Sequence, residues 1–217
     1  MSKLKIVGMG PGSPDYVTNI AKESVQNAEI VIGAKRALAL FQNWISGESL
    51  LLTAQNVKEG LQYGVKSAKA DKNVVILSTG DPGFSGLLGS LLNIAGKDVD
   101  VEVIPGVSSI QVCAARLRMR WDTADLLSFH ADTSYEKKMK LVEALKDGKR
   151  VILLPDPKSF TPKDIARFLI DQGIRGETPV SVCENLTLEN ERTVTFTLDR
   201  ILNQEFDVMC VMVIGED

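Results

Sequence analysis

The sequence predicts an α/β protein with two α/β domains, a mostly parallel sheet in the first and a mixed sheet in the second. Short β-branched runs alternate with amphipathic stretches up to residue 104, which is typical of a parallel sheet covered by helices. Near the end of the chain, three such runs follow one another without a helical stretch between them, which indicates antiparallel strands. We place the domains at residues 1–107 and 108–217.

The strands of the first domain are predicted where short apolar runs end in glycine or polar residues. The most apolar run, 73–77, is expected at the centre of the sheet, where both of its faces are covered. The stretch 16–27 is predicted as a helix because Ile20, Val25 and Ala28 share one face. The predicted strands are 4–7, 30–32, 49–52, 73–77 and 100–104, and the predicted helices are 16–27, 35–41, 57–70 and 84–95.

Proline and glycine mark the helix boundaries of the second domain. Pro162 begins the stretch 162–172 and Gly173 follows it, while Gly148 follows the stretch 135–146. The predicted helices are 108–117, 135–146 and 162–172, and the predicted strands are 126–129, 150–154, 180–183, 192–197 and 208–214.

Composition narrows the class of protein. The net charge of −3 disfavours nucleic acid binding, because phosphate binding needs concentrated Lys and Arg. The three cysteines lie far apart without a C-x-x-C spacing, which indicates reduced thiols rather than disulfides or a zinc site, and no metal site is predicted. Apolar runs fall short of the roughly 18 to 20 residues that span a bilayer, and the chain enters a strand at Leu4, with no room for a signal peptide. We therefore expect a cytoplasmic protein.

Four turns rich in glycine, proline or polar residues follow predicted strands. They read Gly-Met-Gly-Pro-Gly at 8–12, Ser-Thr-Gly-Asp-Pro-Gly-Phe at 78–84, Ile-Pro-Gly-Val-Ser-Ser at 104–109 and Cys-Glu-Asn-Leu at 183–186. Ligands of open α/β sheets bind outside the carboxyl ends of the strands. The four turns therefore predict a site for a small organic cofactor.

The first turn has the wrong spacing for a dinucleotide. Its glycines are Gly8, Gly10 and Gly12 rather than G-x-G-x-x-G, and Pro11 stands where the helix should begin. The second strand ends at Gly33 without an acidic residue, which also disfavours NAD. Two interpretations remain, a tight strand-to-helix turn or a backbone that passes close to a ligand.

Asp81, Ser108 and Ser109 each have a structural and a binding interpretation. The Asp81 carboxylate suits an ammonium or ribose hydroxyls, but an aspartate before proline also caps helices and forms Asx turns. Either serine could be the N-cap of the next helix, and its hydroxyl could also donate to a ligand. The two roles are compatible.

His130 and Glu184 are the candidate acid–base groups. His130 is the single histidine and follows a predicted strand, where it is either structural or positioned to meet an acidic substrate. Glu184 ends a strand and precedes Glu189 and Glu191, which indicates either a solvated acidic hairpin or a general acid–base site.

A basic and aromatic cluster follows the helix at 108–117. Arg116, Arg118 and Arg120 lie within five residues, next to Trp121. They form either a solvated face or a site for a polycarboxylate, because guanidinium groups bind carboxylates bidentately.

Taken together, these motifs resemble the tetrapyrrole (corrin/porphyrin) methylase family over residues 6–214. The family pattern V-G-x-G-P-G matches 7–12, with Thr18 in the expected place, the G-D-P loop matches 80–82, and the P-G-x-S-S turn matches 105–109. Four stretches, 32–36, 80–85, 115–122 and 183–192, resemble the branch that methylates C5 of cobalt-precorrin-7. The chain departs from that branch after His130, where Ala131 and Asp132 replace Gly-Arg.

The resemblance implies S-adenosylmethionine bound in a cleft between the two domains, with S-adenosylhomocysteine as product. It also implies a small-molecule corrin substrate, a homodimer and a transient contact with a separate C15-methyltransferase/decarboxylase. Alternatives within the family are another target carbon or substrate, or a sensor that binds the cofactor without transfer. The motifs carry over the cofactor contacts Pro11, Thr79, Gly80, Asp81, Phe84, Ser108, Ser109, Leu154 and Leu186. The chemistry of the residues themselves gives Arg116 and Arg120 as candidate substrate ligands and His130 and Glu184 as candidate bases.

Overall fold

Residues 3–215, the part of the chain that the computed structural model describes, form two units with one five-stranded sheet each. The first unit ends at Ser108 and the second begins at Ser109. Of the helices formed by these residues, none has the length and apolar character needed to cross a bilayer.

The strands of the first unit are β1 (Leu4–Gly8), β2 (Ile30–Ala34), β3 (Glu48–Leu52), β4 (Val74–Ser78) and β5 (Val101–Ile104). They form one sheet in the order β3-β2-β4-β1-β5, and all neighbouring strands are parallel, which confirms the predicted mostly parallel sheet. The central strand is β4, which is buried along its whole length and confirms the expectation from its apolar run. The helices are α1 (Asn19–Gln26), α2 (Lys35–Phe41), α3 (Val57–Lys69) and α4 (Leu88–Ala95).

Both faces of this sheet are covered by apolar layers. Val74 and Ile76 of β4 pack into one layer, and Val75 and Leu77 pack into the other. Successive side chains of a strand point to opposite faces, so a strand covered on both sides is apolar throughout rather than alternating.

Two helices of the first unit begin later than predicted. Residues Pro14–Tyr16 form a 3₁₀ turn, and Thr18 caps α1 by accepting a hydrogen bond from the Ala21 N–H at 3.3 Å. Ile20 is 50% exposed rather than part of the buried face. The helix predicted from residue 84 begins only at Leu88, because Ser85 has a φ of +58° and cannot continue a right-handed helix.

The strands of the second unit are β6 (Asp125–Ser128), β7 (Val151–Leu154), β8 (Pro179–Glu184), β9 (Arg192–Thr197) and β10 (Cys210–Ile214). They form the predicted mixed sheet, in the order β6-β7-β10-β8-β9. Strands β6 and β7 are parallel, and the other neighbours are antiparallel. The helices are α5 (Ser109–Arg116), α6 (Tyr135–Lys146), α7 (Pro162–Asp171) and α8 (Leu198–Ile201).

The short helix α8 was not predicted, so the statement that no helix separates the last three strands is wrong. It has four residues, too few to show a helical period, and it lies between β9 and β10. Leu198 and Ile201 are its buried residues, and they pack into the core of the second unit.

Candidate functional site

The three glycine-containing turns, which follow β1, β4 and β5, meet through their backbones in the first unit. A Cβ atom on Gly8 would lie 2.5 Å from the Gly106 nitrogen and 2.6 Å from the Gly80 carbonyl oxygen. A Cβ atom on Gly106 would lie 2.7 Å from the Gly8 Cα. Side chains cannot fit at such distances. Glycine is therefore required at Gly8 and Gly106 because the main chains touch.

Backbone hydrogen bonds join the first two of these turns. The Met9 N–H donates to the Ser78 carbonyl at 2.9 Å, and the Gly80 N–H donates to the Gly10 carbonyl at 3.0 Å. Gly10 and Gly80 both have positive φ, +80° and +62°, a conformation that favours glycine. The turns after β1 and β4 thus form one rigid surface at the carboxyl ends of the parallel strands.

The Asp81 carboxylate joins the turns after β4 and β5. Its Oδ1 accepts the Gly83 N–H at 2.8 Å, which is the Asx turn of the structural interpretation. Its Oδ2 accepts the Gly106 N–H at 3.2 Å. A carboxylate has about four acceptor positions, so these two bonds leave room for a ligand donor at the half-buried Asp81.

The remaining expected cofactor residues of the first unit differ in exposure. Thr79 is exposed, with its hydroxyl 3.9 Å from the Met9 sulfur, and Phe84 and Ser108 are half-buried. Pro11 is buried, and its carbonyl accepts a hydrogen bond from Arg36 Nη2 at 2.5 Å.

Arg36 is a residue whose role the sequence did not reveal. Its guanidinium is half-buried, and this burial lowers its pKa from the usual value, although arginine stays protonated in proteins. The signal available in the sequence was a pair of basic residues, Lys35 and Arg36, that follows the apolar strand β2. The contact with Pro11, 25 residues away, could not be read from it.

In the second unit, Glu184 lies at the end of β8 and is only 3% exposed. Its Oε2 accepts Arg192 Nε at 2.5 Å, and its Oε1 accepts the Asp207 N–H at 2.6 Å. A cavity of about 360 Å³ lies beside these three residues and Phe206. Both carboxylate oxygens are already hydrogen-bonded, which favours a structural ion pair over a free general base.

A second carboxylate, that of Glu191, forms hydrogen bonds that hold the turn after Glu184. Glu191 accepts the Thr187 N–H at 2.6 Å through Oε2, and it pairs with Arg116 through Nε–Oε1 at 2.5 Å and Nη2–Oε2 at 3.3 Å. Leu186, an expected cofactor contact, is 5% exposed within this turn. Arg116 is thus engaged inside its own chain.

Arg120 lies in a different environment from Arg116. It pairs with Asp122, with an Nη2–Oδ2 distance of 2.7 Å, and both side chains are largely exposed, at 82% and 62%. Water screens an ion pair this exposed, so a ligand carboxylate could replace Asp122 as the partner of Arg120.

His130 follows β6, and Leu154 ends the neighbouring strand β7. The Phe129 N–H donates to the Leu154 carbonyl at 2.8 Å, so the two expected site residues come from adjacent strand ends. Partial burial of the imidazole lowers the pKa of His130 from its usual value, while the Asp156 carboxylate acts in the opposite direction.

Sequence comparisons match the chain to one protein family and to two relatives that are described with the same activity. The sequence profile of the family described as Tetrapyrrole (Corrin/Porphyrin) Methylases matches residues 3–202. The chain is 40% identical to a probable cobalt-precorrin-7 C(5)-methyltransferase of Methanocaldococcus jannaschii, with 98% of this chain and 97% of that protein covered. It is 30% identical to the cobalt-precorrin-7 C(5)-methyltransferase of Salmonella typhimurium, with 98% and 99% covered.

A solved structure shows the same fold. The precorrin-6Y methylase of cobalamin biosynthesis from Archaeoglobus fulgidus matches with a TM-score of 0.75 at 26% identity. The match covers 99% of this chain and 98% of that chain.

Proposed function

Because the chain belongs to the tetrapyrrole (corrin/porphyrin) methylase family, we propose that it transfers a methyl group from S-adenosylmethionine to C5 of cobalt-precorrin-7. The observation that carries this proposal is the 40% identity to the Methanocaldococcus jannaschii relative, which extends over 98% of this chain. It is supported by the four stretches of the sequence that resemble the same branch of the family.

The residues at the strand ends fit this cofactor chemically. S-adenosylmethionine carries an ammonium, a carboxylate and ribose hydroxyls, which need both acceptors and donors. The first unit offers the Asp81 carboxylate and the hydroxyls of Thr79 and Ser108 at the ends of its strands. The second unit offers the Ser109 hydroxyl and the apolar side chains of Leu154 and Leu186. The proposed contacts are Pro11, Thr79, Gly80, Asp81, Phe84, Ser108, Ser109, Leu154 and Leu186.

The residues of the chain have to bind the cofactor, orient the substrate and remove a proton from it. When bound, S-adenosylmethionine would supply a methyl group that is activated by the positively charged sulfur and can be transferred directly to a carbon nucleophile. Holding the two reactants in line contributes about 7 to 11 kcal/mol to lowering the barrier. The joined backbones of Gly8, Gly80 and Gly106 support this role, since they provide a surface that does not need to reorganise.

Of the two candidate bases, we propose His130 as the group that accepts the proton lost from the substrate. Its lowered pKa keeps the imidazole neutral near pH 7, the form that can accept a proton. Glu184 has both oxygens engaged, by Arg192 and by the Asp207 N–H, so its proposed role is to hold the end of β8 in place. Arg120 is the proposed contact for the carboxylates of the corrin substrate.

We also propose that the protein is a cytoplasmic homodimer and that it binds a separate C15-methyltransferase/decarboxylase transiently. Support for a reducing compartment comes from the sequence, in which the three cysteines lie far apart without a C-x-x-C spacing, the pattern of reduced thiols. Light scattering on the purified protein tests the dimer, and a mass of one chain would contradict it.

The activity is tested by incubating the protein with S-adenosylmethionine and cobalt-precorrin-7 and measuring the product mass. The proposal expects one added methyl group per macrocycle and an equal amount of S-adenosylhomocysteine. Reactions without protein serve as the control. Cofactor binding with no methyl transfer would instead support a sensor, and addition to a different precorrin would support another member of the family.

A further inference from the structure

The turn that follows β8 adopts an unfavourable backbone conformation. We call residues 185–191 the β8–β9 turn. Asn185 has a φ of +50° and Thr187 a φ of +71°, so two non-glycine residues are left-handed within three positions. For threonine, which is β-branched, this conformation is a genuine outlier. Such a conformation persists only when its surroundings hold it in place.

A carboxylate at the end of the turn holds the strained residue. Glu191 accepts the Thr187 N–H at 2.6 Å, and its side chain is 21% exposed. Arg116 pairs with the same carboxylate through two N–H groups and lowers the pKa of Glu191. Two parallel hydrogen bonds to one carboxylate fix its direction as well as its position.

Helix α5, which carries Arg116, also contacts the base of the turn. Cys113 lies one helical turn before Arg116, and its sulfur is 3.3 Å from that of Cys183, with both residues fully buried. Residues three apart on a helix share a face. One face of α5 therefore contacts the strand before the turn and, through Glu191, the turn itself.

We propose that Arg116 and Glu191 are positioning residues, which hold the β8–β9 turn in the conformation that presents Leu186 to S-adenosylmethionine. This inference rests on the proposed function. It gives Arg116, a candidate substrate ligand in the sequence analysis, a role in supporting the cofactor site instead. Leu186 lies between the two left-handed residues, so a turn that relaxed at Thr187 would displace it.

Calorimetric titration with S-adenosylmethionine tests this role in Arg116→Gln and Glu191→Gln. Each substitution removes a charge-assisted hydrogen bond, so we expect the dissociation constant to rise about tenfold. In the double variant the two effects should not add, because both residues act through one pair. Asp122→Asn is the matched control, since it breaks the equally bidentate but exposed pair with Arg120 and should leave the affinity unchanged.

A rescue variant separates positioning from a general loss of stability. Glycine adopts positive φ without strain, so Thr187→Gly should restore most of the cofactor affinity in the Glu191→Gln background. Arg116→Lys keeps the charge but loses the paired geometry, and its affinity should fall between those of the wild type and Arg116→Gln. Absence of rescue would overturn the positioning role.

The substrate alternative for Arg116 has a different kinetic signature. A substrate ligand would raise the KM for the corrin in Arg116→Gln while the cofactor dissociation constant stayed the same. That result would overturn the inference and leave the proposed function standing. If the wild-type protein itself failed to bind S-adenosylmethionine, the proposed function would fall and the inference with it.

Discussion

At the scale of single residues, Asp81 has one carboxylate for two tasks. It holds the turn after β5 through the Gly106 N–H, and it is a proposed acceptor for the cofactor. Both tasks need the negative charge, because a carboxylate accepts hydrogen bonds more strongly than an amide. The structural and binding interpretations of Asp81 are therefore compatible.

Asp81→Ala is expected to weaken S-adenosylmethionine binding at least tenfold, since one or two charge-assisted hydrogen bonds are worth about 1.5 to 3 kcal/mol each. Isothermal titration calorimetry measures this directly. Asp98→Asn, which alters an exposed ion pair with Lys69, is the control. An unchanged dissociation constant in Asp81→Ala would falsify the cofactor role.

His130 gives the expected pH dependence of the reaction. A base works in its deprotonated form, so kcat should rise with pH and reach a plateau above the pKa of His130. Burial lowers this pKa, so the inflection should lie below the usual value of about 6.5. His130→Gln should lower kcat, abolish the inflection and keep the cofactor affinity. A wild-type profile without an inflection, or full activity in His130→Gln, would remove His130 as the base.

At the scale of elements, the junction of three glycine turns positions the expected cofactor residues of the first unit. Gly106→Ala should destabilise the protein by about 1 to 3 kcal/mol, because overpacking forces the backbone to move. The new Cβ atom would meet the Gly8 backbone at 2.7 Å. Urea denaturation followed by circular dichroism provides the measurement.

Gly89 provides the matched control for this prediction. It is the second residue of α4, and a Cβ atom there would meet nothing within 4 Å. Gly89→Ala should therefore stabilise the protein by less than about 1 kcal/mol, because alanine has the better helix propensity. Equal losses in both variants would contradict the claim that backbone contact makes Gly106 necessary.

Local signals predicted most elements, and their failures have local causes. Helices α2 and α6 begin and end where predicted. The start of α4 was placed too early because residues 84–87 are compatible with a helix, and only the positive φ of Ser85 excludes it. The glycine turns were correctly placed after strands, but their contact with one another depends on the order of strands β4, β1 and β5.

At the scale of the whole molecule, long-range side-chain pairs were beyond the reach of sequence patterns. Arg116 and Glu191 are 75 residues apart, and each had a plausible solvent-exposed or substrate role on its own. The parallel and mixed sheets, in contrast, follow from the alternation of helices and strands, which spans each half of the chain. Sequence patterns thus predict which turns carry the candidate site, whereas the side-chain pairs that hold those turns depend on the three-dimensional fold.

The position of the transferred methyl group tests the central claim most directly. The protein is incubated with cobalt-precorrin-7 and S-adenosylmethionine carrying an isotope-labelled methyl group, and the product is examined by nuclear magnetic resonance. We expect a single labelled methyl group on C5 of the macrocycle. A label on another carbon, or an unlabelled macrocycle despite cofactor binding, would contradict the proposed reaction.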